Sequence, residues 1–248
     1  LAAVKQVSKQ LSIDDKLYPP RSIVTVISNA KNEALTAAEY KAVATSPLQK
    51  VAADVYPIYQ KILKDAGALD FDDLIMKTLQ LLKTQNDIRE NYQQHFHYVL
   101  IDEYQDTNAA QYQLIKLLVN ENRNIAVVGD DWQSIYSWRG ADFRNILNFE
   151  RDYPNATVIK LERNYRSTKH ILDGAHAIIT KNKQRSDKKL YTESAGGRPI
   201  QVVSVSTERA EGETIVGGIK NAGDAGHGSY RDYAGLYRTN AQSRTTIL

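Results

Sequence analysis

Apolar positions over residues 1–69 recur at helical intervals. Val51, Val55, Ile58, Tyr59 and Ile62 fall on one face of a 3.6-residue repeat, and Thr36 with Glu39 three places on forms a capping box. Pro57 is expected to kink that helix and Gly67 to close it. At Asp70 the pattern changes. The segment LDFDDLIMKTLQLL opens with acids suited to a helix N-terminus and then sets Leu74, Ile75, Leu79 and Leu82 on an apolar face. After it come short apolar runs, YVLI, NIAVVG, TVIKL, IQVVSV and YAGLY, separated by stretches that read as helices. This alternation predicts an α/β fold, with βα units around a mostly parallel sheet covered on both faces, behind an all-helical N-terminal subdomain. The boundary falls near residue 69 or 70. The glycine cluster from Gly212 to Gly228 reads as a weak helix running into a loop, with Gly217 and Gly218 each costing about 1 kcal/mol against alanine.

Composition changes this picture little. With 248 residues and 42% hydrophobic content the chain can bury one large core or two modest ones, and no run reaches the roughly 18 apolar residues of a membrane span. No secretory leader is visible, and the absence of cysteine removes disulfides and thiolate metal sites, which fits a reducing, cytoplasmic setting. The 32 basic residues nearly match the 29 acidic ones, so a net charge of +3 favours an anionic partner only faintly. The chain opens on Leu1 and its only methionine is Met76, as expected for a piece of a longer protein. His95 and His97, two apart, suggest no zinc site, and the basic stretch KNKQRSDKK reads as a solvated loop that could alternatively meet a phosphate backbone.

Three clusters carry candidate chemistry. In YVLIDEYQDTN a buried strand, Val99 to Ile101, delivers Asp102, Glu103, Gln105 and Asp106 to its carboxyl end, where open α/β sheets place their ligands. An aspartate there can hold Mg²⁺ and the next carboxylate can orient or deprotonate a water, both of which phosphoryl transfer uses. The plainer alternative is a solvated turn leading to a helix capped by Asn108 and Gln111. NIAVVGDDWQSIYSWRGADF repeats the arrangement: Gln133 could sense a terminal phosphate, and Tyr136 and Trp138 beside Arg139 offer faces for stacking on unpaired bases, unless they simply pack beneath the loop. In VIKLERNYRST a strand presents Asn164, Tyr165 and Arg166, with Ser167 placed to cap the next helix; Tyr165 could stack on a purine and Arg166 reach a γ-phosphate, or the segment could be an ion-paired turn.

In this order and spacing, LIDEYQDTN, VVGDDWQSIYSWRGAD and LERNYRST resemble motifs II, III and IV of the UvrD/PcrA/Rep-type superfamily 1A DNA helicases, and PPRSIVTVISNAKNE, LDFDDLI and GLYRTNAQSR extend the resemblance over essentially the whole chain. The resemblance implies RecA-like parallel sheets of a P-loop NTPase, with residues 1–69 as a helical 1B-like subdomain, 70–160 as part of the ATP-binding 1A domain and 161–248 as motif IV and the start of 2A. It implies ATP and Mg²⁺ as cofactors. Asp102 would be the Mg²⁺ carboxylate, Glu103 the base for the attacking water, and Gln133 the coupling between γ-phosphate and DNA site. Tyr165 would pack on adenine and Arg166 would stabilise charge on the transferred phosphoryl group. Phe71, Tyr136 and Trp138 would stack on single-stranded DNA, with Arg139 linking motif III to the acidic cluster. The implied partners are single-stranded DNA and single-strand/duplex junctions, with translocation usually 3′ to 5′, no membrane, and a bacterial cytoplasmic, nucleoid-associated setting.

The chain holds no G-x-x-x-x-G-K-[ST] loop, so the nest and lysine that cradle the β- and γ-phosphates are missing from it. In the family that loop lies upstream of the segment matching Leu1 and the later motifs lie beyond Leu248, so the chain alone is expected to be inactive. Two alternatives accompany the helicase reading: a single-stranded nucleic-acid-binding module without enzymatic activity, and a metal-dependent nuclease using Asp102, Glu103 and Asp106. The second is disfavoured by the lack of converging carboxylates from several strands.

Overall fold

Four helices occupy the first 65 positions of the computed structural model, which describes residues 1–239 and Gln242. They are α1 (Ala2–Gln10), α2 (Pro20–Asn32), α3 (Ala37–Val43) and α4 (Pro47–Asp65). Pro20 and Pro47 stand in the first turns of α2 and α4, where a missing N–H costs nothing. Thr36 with Glu39 and Ser46 with Gln49 close capping boxes on α3 and α4. α4 continues across Pro57 as one helix, so the proline leaves one carbonyl unbonded without ending the element. Gly67, at φ +60, adopts the left-handed turn that closes α4: its N–H donates to the Lys64 carbonyl and that of Ala68 to Leu63. Val4 and Val7 from α1, Ile23 and Ile27 from α2, and Val55, Tyr56 and Tyr59 from α4 make the main core.

Asp70 caps α5 (Phe71–Thr84) through a box with Asp73. The aliphatic stem of Lys31 is buried, and its ammonium reaches Asp70 Oδ2 at 2.6 Å and Asp73 Oδ1 at 2.9 Å, while the Tyr59 hydroxyl donates to Asp70 at 2.7 Å and Gln60 Nε2 to Asp73 at 3.0 Å. Burial opposes ionisation of Asp70, but the Lys31 and Tyr59 hydrogen bonds outweigh it and hold the carboxyl below its ordinary value. This cluster ties α2 and α4 to the start of α5. On α5 itself Leu79 and Leu82 are buried and Ile75 is half-buried, whereas Leu74 is exposed, so the apolar face is narrower than its spacing predicts.

α6 (Asn86–His95) leads to β1 (Val99–Ile101), α7 (Ala109–Leu118) and β2 (Ile125–Val127). The two strands pair in parallel, Val99 beside Ile125 and Ile101 beside Val127. Among the described residues this is the whole sheet, and the expected burial on both faces fails because Leu100 is exposed. Beyond it come α8 (Arg144–Leu147), α9 (Phe149–Asp152), α10 (Lys169–Ile179) and α11 (Glu208–Asp224). TVIKL, IQVVSV and YAGLY, predicted as strands, form none: a strand needs a neighbour to close its hydrogen bonds, and the described residues give these runs only an isolated parallel bridge, Arg163 to Tyr191, just after the first.

The chain forms two compact units, residues 1–162 with 178–189, and residues 163–177 with 190–248. Within the first, the basic stretch is not the solvated loop its composition suggests. Lys188 pairs with Asp130 and, at 3.2 Å, with Asp131; Ser186 accepts a hydrogen bond from Trp132 Nε1 at 3.1 Å and donates its own N–H to Asp131. In the second unit α11 runs through Gly217 and Gly218 and ends ahead of Gly226 and Gly228, both at positive φ. The helix α10 begins at Lys169, two places after Ser167, whose N–H is donated to Asn164 Oδ1.

Candidate functional site

The carboxyl ends of β1 and β2 are stitched together beyond the sheet. Val128 donates its N–H to the Ile101 carbonyl at 2.8 Å, and Tyr104 donates to Val128 at 3.0 Å. The loops carrying Asp102 and Glu103 and the turn carrying Gln133 are therefore neighbours, as the parallel register requires. Asp102 and Glu103 are both exposed. Asp102 Oδ1 accepts the N–H of Glu103 at 2.9 Å, and Glu103 sits at φ +49, a left-handed backbone that a non-glycine residue holds only where its surroundings impose it. A single 3-10 turn, Tyr104–Asp106, follows, and Asn108 then caps α7 in a box with Gln111. The helix cap and the exposed carboxylates thus lie in one segment.

On the β2 side, Asp130 caps the 3-10 turn Asp131–Gln133, and its Oδ2 accepts Gln133 Nε2 at 2.7 Å. Burial resists ionisation of Asp131, yet hydrogen bonds from Ser186 and the charge of Lys188 keep its carboxyl below the usual range. The Gln133 turn is therefore anchored from two directions.

An open groove of about 740 Å³ runs beside this end of the first unit, lined by Phe71, Asn32, Asp106, Asn108, Tyr136, Trp138 and Arg139 among others. Phe71 is 90% exposed and Trp138 67% exposed, so they do not pack beneath their loops. Tyr136 and Trp138 lie 6.4 Å apart, tilted by 47°, and the Arg139 guanidinium stacks 4.6 Å from the Trp138 ring. Arg139 makes no ion pair with a carboxylate among the described residues. The groove floor is polar and built: Asn108 Nδ2 donates to Asn32 Oδ1 at 2.9 Å, and Gly140, at φ +80, comes so close to Asn32 that an added Cβ would stand 3.0 Å from its side chain. Such a surface offers flat faces, a cation and amides, the set that grips bases and backbone of an unpaired strand.

Tyr165 and Arg166 belong to the second unit, on a turn in which Asn164 Oδ1 accepts the N–H groups of Arg166 and Ser167. Both side chains are exposed, and the Arg163 guanidinium lies 4.7 Å from the Tyr165 ring while pairing with Glu193. The structure thus places Asp102 and Glu103 at the end of β1 and Gln133 on the turn after the neighbouring β2, and Phe71, Tyr136, Trp138 and Arg139 along one groove. Sequence reasoning assigned no role to Asn32 or Lys31 and read Lys188 only as part of a basic loop; their types are ordinary, and only long-range pairing exposes what they do.

Residues 1–154 match the UvrD/REP helicase N-terminal domain and residues 159–246 the UvrD-like helicase C-terminal domain. The chain belongs to the UvrD/REP helicase family. Its relatives in that family include ATP-dependent DNA helicase PcrA of Leuconostoc citreum, 48% identical over 241 residues, which are 97% of this chain and 32% of that protein. PcrA of Bacillus subtilis (strain 168) is 48% identical over 244 residues, 98% of this chain and 33% of the relative, and PcrA of Staphylococcus aureus (strain Mu50 / ATCC 700699) is 48% identical over 243 residues with the same shares. The chain therefore spans about a third of the length of these UvrD/REP relatives. Its three chemical clusters divide between the two matched domains, with Asp102, Glu103 and Gln133 in the N-terminal one and Tyr165 and Arg166 in the C-terminal one.

Proposed function

We propose that this chain is part of an ATP-dependent DNA helicase that moves on single-stranded DNA, in the family's 3′ to 5′ direction, and separates duplex DNA at single-strand/duplex junctions, in a bacterial cytoplasmic, nucleoid-associated setting. The same reading treats residues 1–69 as a 1B-like subdomain, 70–160 as part of a RecA-like 1A domain and 161–248 as motif IV with the start of 2A. The observation that carries it is the adjacency, within one unit, of an exposed carboxylate pair at a strand end and a groove of exposed aromatics.

In this reading Glu103 takes a proton from the attacking water. One of its oxygens, Oε2, is engaged by Gln105, leaving the other for that task. Gln133 sits on the anchored turn next to it and senses the terminal phosphate, and Arg166 stabilises charge developing on the transferred group, with Tyr165 against the adenine. Asp102 fits a Mg²⁺ ligand: it is an exposed carboxylate with only Oδ1 engaged, and this ion is held by one or two carboxylates together with substrate phosphates. Bound there, Mg²⁺ would neutralise charge on the β- and γ-phosphates. Phe71, Tyr136 and Trp138 stack on bases, each contributing about 1–3 kcal/mol.

Because the chain contains no G-x-x-x-x-G-K-[ST] loop, the test belongs in the full-length protein. Glu103→Gln is expected to abolish ATP hydrolysis stimulated by single-stranded DNA while nucleotide binding persists, and Trp138→Ala to weaken strand binding by roughly 5- to 100-fold. Undiminished turnover in Glu103→Gln would remove the assignment of the base. One feature favours a second reading for the chain in isolation, namely strand binding without turnover: every residue lining the aromatic groove lies in unit one. Fluorescence anisotropy with a labelled oligonucleotide checks it.

A further inference from the structure

Gln105 is 1% exposed and lies between the two strand ends. Its Oε1 accepts the N–H of Asp130 at 2.9 Å, and its Nε2 donates to Glu103 Oε2 at 2.8 Å and, at 3.4 Å, to Asp106 Oδ2. The orientation of this amide is dictated by its partners: a flipped group would set NH₂ against an N–H and a carbonyl oxygen against two carboxylates. The fit is tight as well. A Cβ on Gly129 would stand 2.5 Å from Gln105 Oε1, so glycine before Asp130 is what lets the amide reach its acceptor position.

Two further contacts extend the connection. Asp130, whose N–H the amide holds, binds Gln133 Nε2 through its own carboxylate. Glu103, whose carboxylate the amide holds, has a left-handed backbone at φ +49. One buried side chain thus fixes both the residue read as the base and the turn that presents Gln133.

We infer that Gln105 is a positioning residue for ATP hydrolysis: it orients the Glu103 carboxylate and sets its distance from the Gln133 turn. The inference rests on the reading of Glu103 given above. A buried amide satisfied at both ends holds its partners more firmly than an exposed one, because no water competes for the bonds. Displacing a catalytic group by about 1 Å costs on the order of 100-fold in rate.

The experiment uses the full-length protein and measures kcat and KM for ATP with saturating single-stranded DNA. Gln105→Glu keeps the shape and the acceptor for Asp130 but turns an acceptor toward Glu103. It is expected to lower kcat by about 10- to 100-fold with KM changed by less than about threefold. In a Glu103→Gln background, which keeps nucleotide binding, the same change is expected to leave the Kd for ATP within about threefold, whereas a residue that merely supports the fold would weaken it further. Gly129→Ala, made together with Ile146→Val because the added Cβ would also stand 2.8 Å from Ile146 Cδ1, pushes the amide aside without replacing it; it should reproduce the kcat loss and decides the matter if Gln105→Glu does not fold. A kcat within about twofold of the parent in Gln105→Glu, or in Gly129→Ala when that variant decides, alongside an inactive Glu103→Gln, overturns the inference and leaves the reading of Glu103 intact. Full turnover by Glu103→Gln overturns both.

Discussion

Lys31 shows how much one residue can organise. Its ammonium is surrounded by Asp70, Asp73 and the rings of Tyr56 and Tyr59, and the lysine is 1% exposed. Lys31→Met would leave the buried Asp73 and the half-buried Asp70 without their cation, a change expected to cost about 3–5 kcal/mol and readable as a lower urea midpoint for the 248-residue chain. A loss under about 1 kcal/mol would mean water replaces the ammonium. The pH dependence has a definite sign. Asp70 has a lowered pKa in the folded state, so its contribution is complete above the ordinary aspartate value near about 4 and disappears as pH falls through the folded one. Stability of the parent chain should therefore decline below about pH 4, and less steeply in Lys31→Met, where the partner is gone. At this scale the sequence was informative about type and silent about pairing. Asp102, Glu103 and Gln133 announce themselves by their place after apolar runs, whereas a lysine inside PPRSIVTVISNAKNE looks like any surface cation until the fold brings Asp70 and Asp73 to it.

Helices were legible, strands only in part. Capping boxes at Thr36, Asp70 and Asn108 depend on residues three positions apart, so local sequence suffices to place them. A strand depends on what lies beside it. YVLI and NIAVVG find each other and pair, whereas TVIKL, IQVVSV and YAGLY, equally apolar, remain without a ladder among the described residues. The helix α11 gives a clean test of local preference. A Cβ at Gly217 or Gly218 would meet nothing within 4 Å, so packing does not require either glycine. Gly217→Ala and Gly218→Ala should each stabilise this helix by about 0.5–1 kcal/mol, seen as greater helical circular dichroism and slower amide exchange across Glu208–Asp224. Unchanged exchange would indicate that α11 is held by its contacts and not by its propensity.

Across the whole molecule the distribution of apolar surface is uneven. The N-terminal helices bury a continuous core, but Leu100 on β1 is open, Val202 is 93% exposed and Leu236 is 98% exposed. Unpaired apolar runs of this kind promote association. At micromolar concentration the chain is expected to sediment faster than a 27.9 kDa monomer, and Val202→Lys with Leu236→Lys to restore monomeric behaviour. A monomeric parent chain would show that these side chains find cover. No helix of the described residues is long and apolar enough to cross a membrane.

By itself the sequence determined the helical opening, the change of pattern at Asp70, the identity and order of the chemical clusters and, through them, membership in the UvrD/REP helicase family. These depend on spacing along the chain, which a sequence contains in full. Only the tertiary structure decided that Phe71 and Trp138 share an exposed groove, that Lys188 anchors the Gln133 turn, and that Gln105 joins Glu103 to Asp130. Each of these joins residues more than twenty positions apart through a hydrogen bond, an ion pair or a shared surface, and their partners are chosen by the path of the folded backbone and not by neighbours in the chain.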